Sequence, residues 1–427
     1  MKLRSILFRV LALLVLSATT LVSAQDNVNL VFTFWIPTDH VIVETALGPI
    51  ADAYMEAHPN VTIQYEFIPF ADYEGTIATR LSGSDAPDAG WIVERNGPAF
   101  IASGVLYDMG SALRGDADYD YADFSEAASS QWLDGDAVYG VPFSTSPFIT
   151  IYNASLFEAA GLDTPAELYA SGDWTWETLR ESAKAIADAT EAWGFVGTDG
   201  GAGMYQNQRY ATMLPLLRAY GTDIIADNSC VANSEAAVEA LTLLHGMVFD
   251  DQSSVPPGDE TVFWSGDVGI TFGQISRLSN LDEADFDWGI APMPSGPAGE
   301  SPVIGQAAIT VFNGPNNSHQ DIATDFVRFM TTQDGVAQMA PFFPPARLSV
   351  LNSEAFLTSN PRVSEDDMAA VIVPAIANGT VLTSHPRFPE IELTGAAALD
   401  TLWMPDADVA AAMDLYCQSI TPFLAAE

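Results

Sequence analysis

Short apolar runs alternate with stripes of helical period between residues 30 and 93, and that order constrains the fold more than any other feature of the chain. Residues 30–35 form an apolar, aromatic run of strand length. Val43, Leu47, Ile50 and Tyr54 then recur on one helical face, and Pro59 follows the end of that helix. In residues 61–67, Val61, Ile63, Tyr65 and Phe67 alternate strictly with Thr62, Gln64 and Glu66, the two-residue period of a half-buried strand. Tyr73, Ile77 and Leu81 make a second helical stripe that stops at Gly83, and Trp91-Ile92-Val93 reads as a third strand. The order β-α-β-α-β requires a mostly parallel sheet with right-handed crossovers, so the chain is read as α/β.

Further along, residues 148–152 and 307–312 read as strands. Trp176, Leu179, Ala183 and Ile186 form a helical stripe behind the predicted cap Thr175. Ser234 is placed to cap a helix carrying Val238, Leu241, Leu244 and Val248, and Ile322, Phe326 and Phe329 share another helical face. Residues 197–203 form a glycine-rich loop. No internal repeat or long linker interrupts the 427 residues, which favours two lobes joined by several short strands over beads on a string.

Lys2, Arg4 and Arg9 precede a short apolar core at residues 10–16, and Val22-Ser23-Ala24 offers a small-residue cleavage site. This is the pattern of an export signal spanning 1–24, with its apolar part too short to cross a bilayer. Export to the periplasm or the extracellular space is therefore expected, with a soluble mature protein and no lipid anchor. Cys230 and Cys417 are the chain's two cysteines, so in an oxidising compartment a disulfide between them is expected, against the alternative of two buried thiols.

Charge narrows the function. Asp and Glu number 56 against 15 Lys and Arg, for a formal net charge of −41, which repels nucleic-acid backbones and anionic membrane surfaces. The sequence carries no phosphate-binding loop, no nucleophile elbow and no metalloprotease motif, so neither a cofactor nor a catalytic site is expected. The run Asp116, Asp118, Asp120 and Asp123 lacks glycine at the sixth position of a calcium loop and a carboxylate at the twelfth, and reads as a solvated acidic loop. Asp285 and Asp287 could serve as the carboxylate pair of a glycosidase, but so many acids produce such pairs by chance.

In open α/β sheets, ligands collect beyond the carboxyl ends of the strands. The first strand ends at Trp35, followed shortly by Asp39; the third ends at Trp91, followed by Glu94 and Arg95. Aromatic faces beside charged hydrogen-bonding groups suit carbohydrates, whose rings present apolar faces and rims of hydroxyls. The competing reading places both tryptophans in the core and both acids at helix starts.

Segments in series, among them "LGPIADAYMEAHPNVTIQYE", "YGVPFSTSPFITIYNASLFEAAGLDTP", "FWSGDVGITFGQ" and "DIATDFVRFMTTQDGVAQMA", carry a family likeness over nearly all of the mature chain. The chain resembles the extracellular solute-binding proteins of ABC importers, in the maltose-binding-protein-like group that mostly serves sugars. The resemblance implies a type II periplasmic-binding-protein fold with two discontinuous lobes joined by hinge strands: 25–145 with 288–331, and 146–287 with 332–427. It also implies ligand capture by closure of the interlobe cleft, delivery to membrane ABC permease subunits, a monomer, and no enzymatic activity. Laid on this chain, it marks Trp35, Asp39, Trp91, Glu94 and Arg95 in the first lobe, and Ser144 and Ser146 at the first hinge crossing. Gln274 and Arg277 lie where many relatives carry Gly-x-Trp; here the segment is Gly273-Gln274-Ile275, without the tryptophan. Tyr205 and Phe343 are candidates to supply aromatic surface from other loops. The expected ligand is a mono- or oligosaccharide; the alternatives are a polyol or cation receptor and a secreted carbohydrate hydrolase.

Overall fold

The computed structural model describes residues 27–197 and 212–424. The expected signal segment and Tyr205 lie outside the described residues. The parallel first unit forms as its pattern requires. Strand β1 (Val28–Phe34) pairs in parallel with β2 (Val61–Phe67) on one side and with β3 (Ala89–Val93) on the other. Helices α1 (Gly48–Ala57) and α2 (Phe70–Ser82) make the crossovers, burying Ile50 and Tyr54, and Tyr73, Ile77 and Leu81. Ahead of α1 the chain makes a wider turn, in which the Gly48 N–H bonds the carbonyl of Val43 five residues back. Pro49 has no N–H to continue the regular ladder, which accounts for the widening.

The longest strand, β4 (Val141–Asn153), serves two halves of the molecule. Residues 141–147 pair antiparallel with β8 (Val303–Val311), which in turn pairs with β3. Residues 148–153 pair antiparallel with β6 (Val268–Gln274) and with β7 (Trp288–Ala291), while β5 (Trp193–Val196) pairs with β6. With β9 (Thr380–Val381) pairing β8, nine strands among the described residues form one continuous sheet. Pro147 marks the switch of partners; lacking an N–H, it cannot extend a ladder on both sides. The expected caps form: Thr175 accepts from the Thr178 N–H at the start of α3 (Trp176–Ala189), and Ser234 from the Ala237 N–H at the start of α4 (Glu235–Phe249).

Backbone pairing near two of the expected lobe boundaries is as follows. Residues 288–291 form β7 on the second half of β4, so the return to the first half of the sheet comes with β8. Residues 332–347 pack back on the first half: the Ser125 N–H bonds the Ala346 carbonyl, and the Thr145 N–H bonds that of Pro344. Neither segment carries a linker signal, and long-range backbone pairing sets which strands each one meets.

Arg347 holds that return. It is 2% exposed and donates to the carbonyls of Thr331, Tyr119 and Asp120 and to the Asp123 carboxylate, between the rings of Tyr119 and Phe124. The acidic run is therefore not simply solvated, since Asp116 pairs with Arg328 and Asp123 with Arg347. Helix α5 (Gln320–Met330) carries Arg328 and lays Phe326 against Phe32 and Tyr54. In the other half, Cys230 and Cys417 form a disulfide with Cα atoms 5.4 Å apart. It ties the hairpin strand Ser229–Cys230 to helix α7 (Val409–Leu424), which packs against α6 (Phe388–Leu399).

With 56 acids and 15 bases, these ion pairs leave most carboxylates without a cation. Self-repulsion then dominates at low ionic strength. Raising salt from low to physiological strength is expected to raise the melting temperature; a flat or falling trend counts against net repulsion.

Candidate functional site

The candidate residues gather where the strand ends of both halves meet. Across β3, β8, β4 and β6 the register sets Val93 beside Ala307, Gln306 beside Thr145, and Gly305 beside Ser146. The Gln274 amide then donates to the Ser146 carbonyl at 3.2 Å. Glu94, Gln306, Ser144, Ser146 and Gln274 thus form a transverse row of backbone positions where the halves meet, with Gln306 on the sheet face of its register partner Thr145 and Ser144 and Ser146 on the opposite face. The carboxyl ends of β1 and β3 reach this row from one side, and that of β6 from the other.

Aromatic rings stand along the first half of the row. Trp35, half-buried, meets Phe70, Tyr73 and Trp91 edge-on at 5.5, 5.2 and 5.0 Å between ring centroids. Trp91 packs against Phe143 at 4.6 Å and Phe343 at 5.5 Å, and Phe343 meets Phe143 at 5.0 Å. Trp91 itself is fully buried, so it backs the cluster rather than presenting a face. Trp35 and Phe343 keep partial exposure, and Phe70, 52% exposed, supplies an open ring that the sequence reading missed. Its one sequence signal is a large apolar residue at a helix start, directly after Ile68-Pro69.

The charged part centres on Glu94, 3% exposed on the short helical turn Glu94–Asn96 that follows β3. Its carboxylate accepts the Gln306 backbone N–H at 3.1 Å. Burial pushes the Glu94 carboxyl up to about 7, although its own N–H, Arg95 and the Gln306 N–H all favour the charged form. Burial also raises Glu74, whose carboxylate lies 3.9 Å from the Arg95 guanidinium. Arg95 lies over the Phe70 ring, and its carbonyl accepts from the Ser384 hydroxyl, which brings the segment before α6 onto the turn. On α6, Glu392 adds to the field that raises Glu74. Glu74, Gln306, Ser384 and Glu392 lay outside the sequence reading because each depends on a contact more than ten residues away.

Asp39 is exposed on the turn after Trp35, and Arg277 is exposed on the helical segment Ile275–Leu281 beyond β6. Asp287 sits at the start of β7, where its N–H bonds the Ser155 hydroxyl. Among the described residues, no group of three or more His, Cys, Asp or Glu is placed to hold a metal ion. No described helix is long and apolar enough to cross a membrane.

Residues 49–365 match the family of bacterial extracellular solute-binding proteins. The chain belongs to this family. Its members bind substrates for ABC transporters and are not enzymes. A binding protein of Brucella abortus (strain 2308) is 24% identical over 358 residues, covering 79% of this chain and 82% of its own. The cyclic alpha-maltosyl-1,6-maltose binding protein of Arthrobacter globiformis superposes with a TM-score of 0.78 at 22% identity, over 94% of this chain and 99% of that one. A Mycobacterium tuberculosis protein solved in complex with glycerophosphocholine superposes with a TM-score of 0.75 at 17% identity, over 93% and 98% of the two chains. These likenesses show a shared two-lobed fold.

Proposed function

We propose that this solute-binding protein captures a neutral mono- or oligosaccharide at the row between its lobes and delivers it to ABC permease subunits outside the cytoplasm. One observation carries the reading: a buried carboxyl, Glu94, is held by β8 three residues after Trp91, on which the partly open rings of Trp35 and Phe343 pack, and next to Arg95, which lies over Phe70. Rings offer the apolar face of a sugar its contact, and a carboxyl offers its hydroxyls a strong acceptor. Ligand touching both lobes favours the closed arrangement by its differential affinity for that state, the form suited to docking on a permease. The prevailing negative charge opposes anionic solutes.

Isothermal titration with a series of neutral oligosaccharides tests this, and chromatography of the recovered sugar separates a receptor from a hydrolase. Sugars returned intact support the receptor. Glu94→Gln should weaken binding roughly ten- to a hundredfold, the range for losing one hydrogen bond to a charged group. Asp118→Asn, in the acidic run, should bind like the parent; the opposite ranking would move the site away from Glu94. The same variant has a pH signature. The native carboxyl near 7 holds its proton more tightly than in the unfolded chain, where it titrates near its ordinary value of 4.5. Glu94 therefore lowers stability as pH rises from about 4.5 to about 7, and Glu94→Gln should flatten that part of the profile. Parallel pH profiles for parent and variant would contradict the assignment.

A further inference from the structure

Gln306 lies within β8, at the middle of the row, and is 4% exposed. Its backbone N–H is committed to Glu94. Its side-chain amide is buried at both ends, and neither the nitrogen nor the oxygen has a hydrogen-bond partner among the described residues. Among the described residues, other buried side chains strand a single polar atom, whereas Gln306 strands a donor and an acceptor together. A glutamine is costly in such a position, because its whole amide gives up water with no return from the protein. On a strand of the first half, with its backbone N–H on the Glu94 carboxylate, that arrangement fits a group waiting for a ligand.

We propose that Gln306 reads the ligand, donating to one hydroxyl and accepting from its neighbour, which makes a neutral vicinal diol the group recognised; this rests on the carbohydrate reading above. The chemistry selects among ligand classes. An anion offers acceptors only and would leave the amide oxygen stranded. A cation offers donors only and would leave the amide nitrogen stranded. Hydroxyls do both, and a pair of adjacent hydroxyls matches the two ends of one amide. Glu74, whose charge acts on Glu94, also has one buried carboxylate oxygen without a partner, a second acceptor suited to a hydroxyl donor. Of the charges acting on Glu74 and Glu94, the acids outnumber Arg95, which further disfavours an anion.

Gln306→Met keeps the length of the side chain and removes both polar ends. If the amide is held for a ligand, the ligand-free variant should melt higher than the parent by roughly 2 °C, since it no longer buries unsatisfied groups. The same variant should bind maltose, maltotriose, trehalose or cellobiose, whichever the parent binds in calorimetry, at least about tenfold more weakly. Opposite signs in stability and affinity are what a purely structural role does not produce. A ligand-free variant that melts lower, or that binds the same sugar as tightly as the parent, overturns the proposal. If the parent binds none of the four sugars, the carbohydrate reading fails on its own. The melting comparison then decides Gln306 alone: a higher melting temperature supports a ligand-reading amide, and a lower one refutes it.

Discussion

Replacing both Cys230 and Cys417 by serine is expected to cost about 5 kcal/mol, the loop-entropy value for a cross-link whose ends are 187 residues apart in sequence. The bond closes the hairpin at Ser229–Cys230 onto α7, and α7 packs along α4 and α6, so it spans most of one half of the molecule. The closed loop also runs through β8 and residues 332–347 of the first half, so the loss should appear in the unfolding of the whole chain. Calorimetry of the oxidised protein, the reduced protein and the double variant is the direct measurement. The reduced protein and the double variant should melt together, below the oxidised protein. Superimposable melts with and without reductant would show that the cross-link does not limit the unfolded chain.

Arg347→Leu should be nearly as damaging, by about 3 to 5 kcal/mol, and in the other half. The guanidinium is buried and donates to three backbone carbonyls and one carboxylate, so its removal takes a buried donor from the Thr331 and Tyr119 carbonyls and leaves Asp123 without its cation. It also unpins residues 332–347, including Phe343, from the first half of the sheet. Arg347→Lys should recover only part of the loss, because an ammonium cannot reproduce the planar fork that reaches Thr331, Tyr119 and Asp120 together. Arg362→Ala, which breaks an exposed pair with Asp282, serves as the control and should leave the melting curve unchanged. Denaturant unfolding of the three variants checks the order; an Arg347→Leu protein as stable as the control would refute the role assigned to the buried cation. Reduced ligand affinity in Arg347→Lys, at temperatures where it stays folded, would link this brace to the aromatic part of the site.

Periodicity was enough for the elements whose structure is decided locally. The alternation in residues 61–67 became β2, the stripe at Tyr73, Ile77 and Leu81 became the buried face of α2, and Thr175 and Ser234 cap the helices that follow them. The parallel pairing of β1 with β2 and β3 follows because two helical crossovers leave no other short route. The ordered segments also carried the family, and the edge-of-sheet rule pointed to Trp35, Glu94 and Arg95, since strand ends and their following turns are contiguous in sequence. Tertiary structure decided the rest. Trp91 and Trp35 look alike in sequence, yet only the packing of Phe143 and Phe343, from distant segments, buries Trp91 completely. Residues 288–291 carry no mark of which half they join, because a strand's partner is chosen by hydrogen bonds to β4. Arg347 reads as one more surface cation until the carbonyls of Tyr119, Asp120 and Thr331 close around it. Gln306 reads as a single polar residue in an apolar run, and only the folded protein buries both ends of its amide without a partner. Local period and turn chemistry act over a few residues and can be read along the chain, whereas burial and hydrogen-bond partnership depend on which distant residues arrive.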